Sequence, residues 1–169
     1  MGWTHRAVMG GLVGTAGLAL LWSTYARADE DPCAGLSTAV VVETNDARLS
    51  LCKDGRRLGE YDVSFGSNGV GKTRPNDKKT PIGTYALTPP RRSFGGYHVF
   101  IGIQVPKRIG TAVGVHGPRK GFRWLGAING WFNWTQGCIA VAYVSEIEAI
   151  ARFVRRHPKA KIHILPPSD

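Results

Sequence analysis

Short runs at strand period, each cut off by a turn signal, dominate the chain from Thr38 onward and restrict it to a mainly β fold. Thr38-Ala-Val-Val-Val-Glu43 is a β-branched run, Arg48-Leu-Ser-Leu-Cys52 alternates apolar with polar residues, and Arg57 to Val63 follows as a third strand. Asn45-Asp46 and Lys53-Asp54-Gly55 are the turn signals between them, so the three segments predict an antiparallel meander. Gly83 to Thr88 resumes strand character until Pro89-Pro90 stops it; Tyr97 to Val105, Ala112 to His116 and Lys161 to Leu165 supply further strands. One helix is well signalled: Ser145-Glu-Ile-Glu148 reads as a capping box, and Ile147, Ile150, Ala151 and Val154 fall on one face. Glu146 and Glu148 at its start, Arg152, Arg155, Arg156 and His157 at its end, and the closing Pro158 all suit the helix dipole and its termination.

Two segments carry no period. Phe65 to Lys79 is glycine-rich and charged, hence a loop. Gly117 to Trp134 places Phe122, Trp124, Trp131, Phe132 and Trp134 among glycines and basic residues. It reads as a long, structured loop, its aromatics serving either as satellite core or as a platform for a ligand.

The length, 169 residues, fits one compact domain once the first stretch is set aside. Met1 to Ala28 has the layout of a secretory signal: a basic start at His5 and Arg6, an apolar run from Ala7 to Trp22, and Ala26-Arg27-Ala28 as the cleavage site. The alternative is an uncleaved anchor, although the apolar run is shorter than the ~20 residues a spanning helix needs and is loosened by glycines. Asp29 to Ser37 then reads as a linker, and residues 38–169 as the folded domain. The net charge is +10, and removal of Arg6 and Arg27 with the signal leaves +8. In an exported chain the polyanions that such a surface meets are wall polymers and membrane surfaces, not nucleic acid.

Of the three cysteines, Cys33 and Cys52 lie near the expected mature start and Cys138 stands alone downstream. In an oxidising compartment the first two can form a disulfide, leaving Cys138 as the candidate reactive thiol. Its setting supports that reading. Val113-Gly-Val-His116-Gly117 is followed by Thr135-Gln-Gly-Cys138-Ile139, and a thiol attacks carbonyls well only as thiolate, so it needs a base such as His116 within reach. Gly137 lets the backbone turn sharply, so that N–H groups near Cys138 can face the oxygen of a tetrahedral intermediate.

At these residues the sequence resembles the L,D-transpeptidase catalytic domain (YkuD-type), whose signature is a His-Gly pair followed by Ser/Thr-x-Gly-Cys. Thr80-Pro81-Ile-Gly83-Thr84-Tyr85 is similar to that family's Thr-Pro-x-Gly-x-Phe/Tyr strand, so the likeness covers nearly all of Thr38 to Leu165. The resemblance implies a β-sandwich with one helix packed on the sheets, and a cell-wall peptide acyltransferase. In it Cys138 is nucleophile, His116 is base, Gly117 orients the imidazole through its carbonyl, and Thr135 and Gly137 shape the oxyanion hole. Two positions depart from the pattern: Gln136 stands where many members have a second His, and Ala140 where many have Arg or Asn. Both departures, with Asn76-Asp-Lys-Lys-Thr80-Pro81, resemble a YafK-like subgroup associated with cutting wall-peptide links rather than forming them.

The implied reaction is attack of Cys138 on the carbonyl at the L-centre of diaminopimelate in a peptidoglycan stem peptide. An amine then resolves the thioester to a crosslink, or water to a cut. Arg119, Lys120 and Arg123 could hold substrate carboxylates or be a solvated basic loop, and Trp134 and Gln136 are further candidates for substrate contact. His98 reads as structural and His157 as a helix-end cap. A module that keeps the fold but only binds wall polymer is the rival reading, favoured by Gln136 and Ala140. A zinc site of His98, His116 and Cys138 lacks paired-ligand spacing, and the reaction calls for no cofactor and no metal.

Overall fold

The structure, a computed structural model, describes residues 31–121 and 132–168. The expected signal at 1–28, and Phe122, Arg123, Trp124 and Trp131 of the aromatic loop, lie outside the described residues.

The strands run β1 (Thr38–Glu43), β2 (Arg48–Lys53), β3 (Arg56–Ser64), β4 (Gly83–Ala86), β5 (Arg91–Arg92), β6 (Val99–Gly102), β7 (Gly114–His116), β8 (Ile139–Val141) and β9 (Lys161–Ile164), with helix α1 (Val144–Arg156) between β8 and β9. They form one sheet in the order β4-β9-β1-β2-β3-β8-β7-β6-β5. The β1–β2–β3 meander is antiparallel as the turn signals require, whereas β1 with β9 and β7 with β8 are parallel. β3 serves both halves: its first part pairs with β2, while Val63 and Ser64 pair with Val141 and Ala140 of β8. The sheet curls until its ends meet beyond β4 and β6, where Thr88 N–H donates to Gly102 O (2.8 Å) and Gln104 N–H to Ala86 O (2.9 Å). The two layers of the expected sandwich are thus two halves of one curled sheet.

Inside the curl, Val40, Val42 and Leu49 meet Ile101, Ile139 and Ile162, together with Ile147, Ile150, Ala151 and Val154 from α1. The unbroken apolar run of β1 has its reason here, because both faces are covered. Val40 and Val42 face the main core, and Ala39 and Val41 pack with Cys33 and Cys52 on the other side. Residues 31–37, read as a linker, fold back as turns over this second cluster, and Cys33 is bonded to Cys52 with their Cα atoms 5.1 Å apart.

The helix cap differs from the sequence reading. Tyr143, not Ser145, is the N-cap residue, and its N–H donates to Glu146 Oε2 at 2.9 Å. Glu148 is thereby released to accept from Arg92 and to pair with His98 (Nε2 to Oε1, 2.8 Å), fastening α1 to the β5–β6 hairpin. At the far end His157 is the C-cap, its N–H donating to Phe153 O and its ring 4.8 Å from the Phe153 ring.

Candidate active site

The site forms where β7 ends and β8 begins. Parallel pairing sets Val115 beside Ile139 and His116 beside Ala140, so Cys138, one residue before β8, comes to the strand that carries His116. The sequence motifs separated by the aromatic loop are joined by this ladder.

The loop from Thr135 to Cys138 is held by hydroxyls. Thr135 Oγ1 donates to Cys138 O (2.7 Å) and accepts from Gly137 N–H (3.1 Å); Thr80 Oγ1 reaches the same carbonyl at 3.4 Å and accepts from Gly66 N–H at 2.9 Å. Both threonines are buried, so they shape the nucleophile loop from behind and do not face a substrate. Gly137 is required twice over: its φ is 115°, and a Cβ there would lie 2.6 Å from Lys79 O. Its own N–H is engaged by Thr135, so it is not one of the groups aimed at an oxyanion.

His116 is fully buried. Its Nδ1–H donates to Gly117 O at 2.8 Å, which fixes the tautomer and leaves Nε2 as acceptor. Gly117 allows close approach of α1, since a Cβ there would sit 2.7 Å from Ile147 Cγ2. Tyr97 stacks on the imidazole at 3.8 Å between centroids, and Trp134 meets it edge-on at 5.8 Å. Nε2 is buried and has no hydrogen-bond partner among the described residues. Burial, and secondarily the Arg119 charge, push the imidazole down to about 4 against the bond to Gly117.

Cys138 is the free cysteine, and its thiol donates to Ala112 O at 3.7 Å. Burial pushes the thiol up, opposed by a backbone bond from Gly114 and by the Lys72 charge. The resting pair at neutral pH is therefore thiol and neutral imidazole, not the thiolate–imidazolium pair. Ala112 also lines a cleft of about 520 Å³ with Thr88, Phe100, Gln104, Lys107 and Thr111.

Of the sequence candidates for substrate contact, Arg119 is exposed with its guanidinium 6.0 Å from the Tyr97 ring, Gln136 is exposed, and Trp134 is half-buried against His116. Arg123 lies outside the described residues. Lys120 reaches Ser93 Oγ at 3.3 Å. His98 is held by Glu148 on the hairpin, and no group of three His, Cys, Asp or Glu among the described residues is arranged to hold a metal ion. Sequence reasoning missed Tyr97, for which only its place just before β6 was a signal. It also missed Lys72 and Asp77, an ion pair at 2.7 Å with side chains 4% and 7% exposed, hidden in a loop that reads as solvated.

A thiol and an imidazole brought together by parallel strands of a curled sheet define the general class. More specifically, the model of the YkuD family, the L,D-transpeptidase catalytic domain, matches residues 37–164, and the chain belongs to that family. Among solved structures, it is similar to the helical cell shape determining protein Pgp2 from Campylobacter jejuni (TM-score 0.63, 19% identity, 83% of this chain and 53% of that one). It is also similar to Bdellovibrio bacteriovorus Bd1075 (0.55, 19%, 76% and 48%) and to L,D-transpeptidase 3 from Mycobacterium tuberculosis with a faropenem-derived adduct (0.52, 15%, 77% and 60%). At these identities the likeness is one of fold. The chain spans about half the length of the first two structures. No curated protein matches it in sequence.

Proposed function

We propose that the chain is an exported, peptidoglycan-modifying cysteine acyltransferase, with Cys138 as nucleophile and His116 Nε2 as base. One observation carries the reading: a buried imidazole locked through Nδ1, with its unpartnered Nε2 on the strand next to the free thiol. An orphaned buried acceptor costs about 1–3 kcal/mol, a cost with a purpose where the atom must receive a proton. When substrate enters, the thiol turns from Ala112 O and passes its proton to Nε2 as the sulfur–carbon bond forms at the diaminopimelate L-centre. With the Gly137 N–H engaged by Thr135, the oxyanion donor in this reading is the Cys138 N–H. The carbon–nitrogen bond then breaks, and imidazolium returns the proton to the leaving amine. An incoming amine or water, deprotonated by Nε2, releases the acyl group and restores the thiol.

The cleft beside Ala112, with Lys107 and Arg91 on its wall, suits a peptide bearing carboxylates. Transfer to water is the second reading, supported by the absence of a His at Gln136, by Ala140 and by the lead-in to Thr80-Pro81, which resemble the YafK-like subgroup. The likeness to Pgp2, a helical cell shape determining protein, supports a role in wall remodelling, and with it an envelope location. The test is mass analysis of purified wall fragments after incubation with the mature protein. New crosslinked dimers support transfer, shortened stems support hydrolysis, and unchanged fragments retained on the protein would instead identify a binding module.

A further inference from the structure

Lys72 and Asp77 form a buried ion pair that the mechanism above does not use. Asp77 accepts from the N–H groups of Thr73 (2.9 Å), Arg74 (3.2 Å) and Lys79 (3.0 Å) as well as from Lys72 Nζ. Burial raises its carboxyl, but the Lys72 bond and these backbone donors overcome that and hold it well below the usual carboxylate range. The carboxylate is thus fixed, and it fixes the ammonium. The segment is tied down from both ends, with Gly71 and Lys72 N–H on Thr80 O and Thr80 N–H on Gly69 O.

The ammonium points under the nucleophile loop. Its Nζ lies 3.8 Å from where a Cβ of Gly137 would be, and its Cε 3.4 Å from where one of Gly110 would be. Both are van der Waals distances, so the Lys72 side chain runs past Gly110 to the residue before Cys138. A buried ion pair is weak evidence of stabilisation, since apolar residues of similar volume serve as well. A permanent cation beneath a thiol that must become an anion has a clearer use. Lys72, held by Asp77, and a backbone bond from Gly114 act on that thiol, and the thiol acts on Tyr97 of the β5–β6 hairpin; His116 stands on the neighbouring strand β7, and Arg119 acts on His116. Lys72 is the fixed positive charge among those that act on Cys138 directly, and His116 is neutral at rest.

Resting on the acyl-transfer reading, we propose that Lys72 is an electrostatic positioning residue: its ammonium, aimed by Asp77, lowers the cost of negative charge at Cys138 and on the adjoining oxyanion. The structural alternative is an ion pair that merely fastens the loop. The two differ in sign. Under the proposal, Lys72→Gln removes the charge and Asp77→Asn frees it, so the variants move Cys138 in opposite directions. A fastening role predicts damage in the same direction.

The test is the pH dependence of Cys138 alkylation by iodoacetamide on the mature protein, which needs no substrate and so stands or falls apart from the transferase reading. Lys72→Gln should raise the midpoint by about one pH unit and slow alkylation at pH 7 about tenfold. Asp77→Asn should lower the midpoint, and Lys72→Arg should recover part of the loss. An unchanged midpoint in a cooperatively melting Lys72→Gln protein, or shifts of one sign in both variants, would overturn the proposal. Should Lys72→Gln fail to fold, the unmodified protein decides. Anionic iodoacetate, relative to iodoacetamide, should react several-fold faster with native Cys138 than with the denatured chain, and a native ratio no higher than the denatured one would overturn the proposal.

Discussion

At the residue scale, the proposed mechanism gives proton transfer to His116 and none to Gln136. Imidazole can accept the thiol proton and return it, whereas a glutamine amide can only hydrogen-bond. We expect His116→Gln to lower the acylation rate by two or more orders of magnitude, in line with the roughly 10² to 10⁴ that a positioned base contributes, and Gln136→Ala to cost less than tenfold. Equal damage from both would place the glutamine in the hole or on the substrate. The same imidazole makes stability depend on pH. Its folded pKa of about 4 lies below the ordinary 6.5, so the unfolded state takes up the proton first on acidification. Its contribution is complete above pH 6.5 and is lost as the pH falls through 4, amounting to at most roughly 3 kcal/mol. His163, lowered by burial and then by Lys161, acts with the same sign. Denaturant melts between pH 7 and pH 4 should show this loss, and His116→Gln should flatten it; a parallel loss in that variant would remove His116 as its source.

At the scale of elements, what could be read depended on how much period each segment carries. β1 was legible to the residue from its β-branched run, and β2 and β3 to within a residue or two at their ends. β5 and β8 were not: β5 has only two residues, and β8 is buried at every position and so shows no alternation. The cap was misplaced because Ser145-x-x-Glu148 and Tyr143-x-x-Glu146 both end on a glutamate, and only packing against the β5–β6 hairpin assigns Glu148 elsewhere. Cys138 and His116 stood out because a thiol and an imidazole in glycine-flanked motifs have few structural uses. Lys72 did not, because a lysine among glycines and turn residues looks like any solvated charge until the curl buries it. The turns at 31–37 were hidden by their polarity, yet the Cys33–Cys52 bond ties them to β2 across a separation of 19 residues. In the chain-entropy account a loop of that size is worth about 3 kcal/mol. Replacing both cysteines with serine should lower unfolding free energy by about 2–4 kcal/mol and leave the rate of Cys138 acylation within about twofold, as measured by urea melts and acylation kinetics. A large drop in rate with little loss of stability would mean that the turns contact substrate.

For the whole molecule, sheet order was the least legible property. The parallel pairs β1–β9 and β7–β8 join segments far apart in the chain, and no local pattern specifies which distant strand will be a neighbour. The first seats the last strand against the opening meander, and the second sets the strand that carries His116 beside the one that follows Cys138, the pair on which the proposed mechanism rests. The family match over 37–164 places this arrangement in a known class; in the proposed mechanism the choice of acceptor falls to Gln136, Ala140 and the cleft beside Ala112. Peptide mapping of the mature protein after brief exposure to a stem tetrapeptide, followed by acid quench, tests Cys138 as the nucleophile most directly. One acyl mass shift is expected, on the peptide containing Cys138, absent from a folded Cys138→Ala variant that also forms no product. Normal product formation by Cys138→Ala, or an adduct carried on another residue, would contradict it.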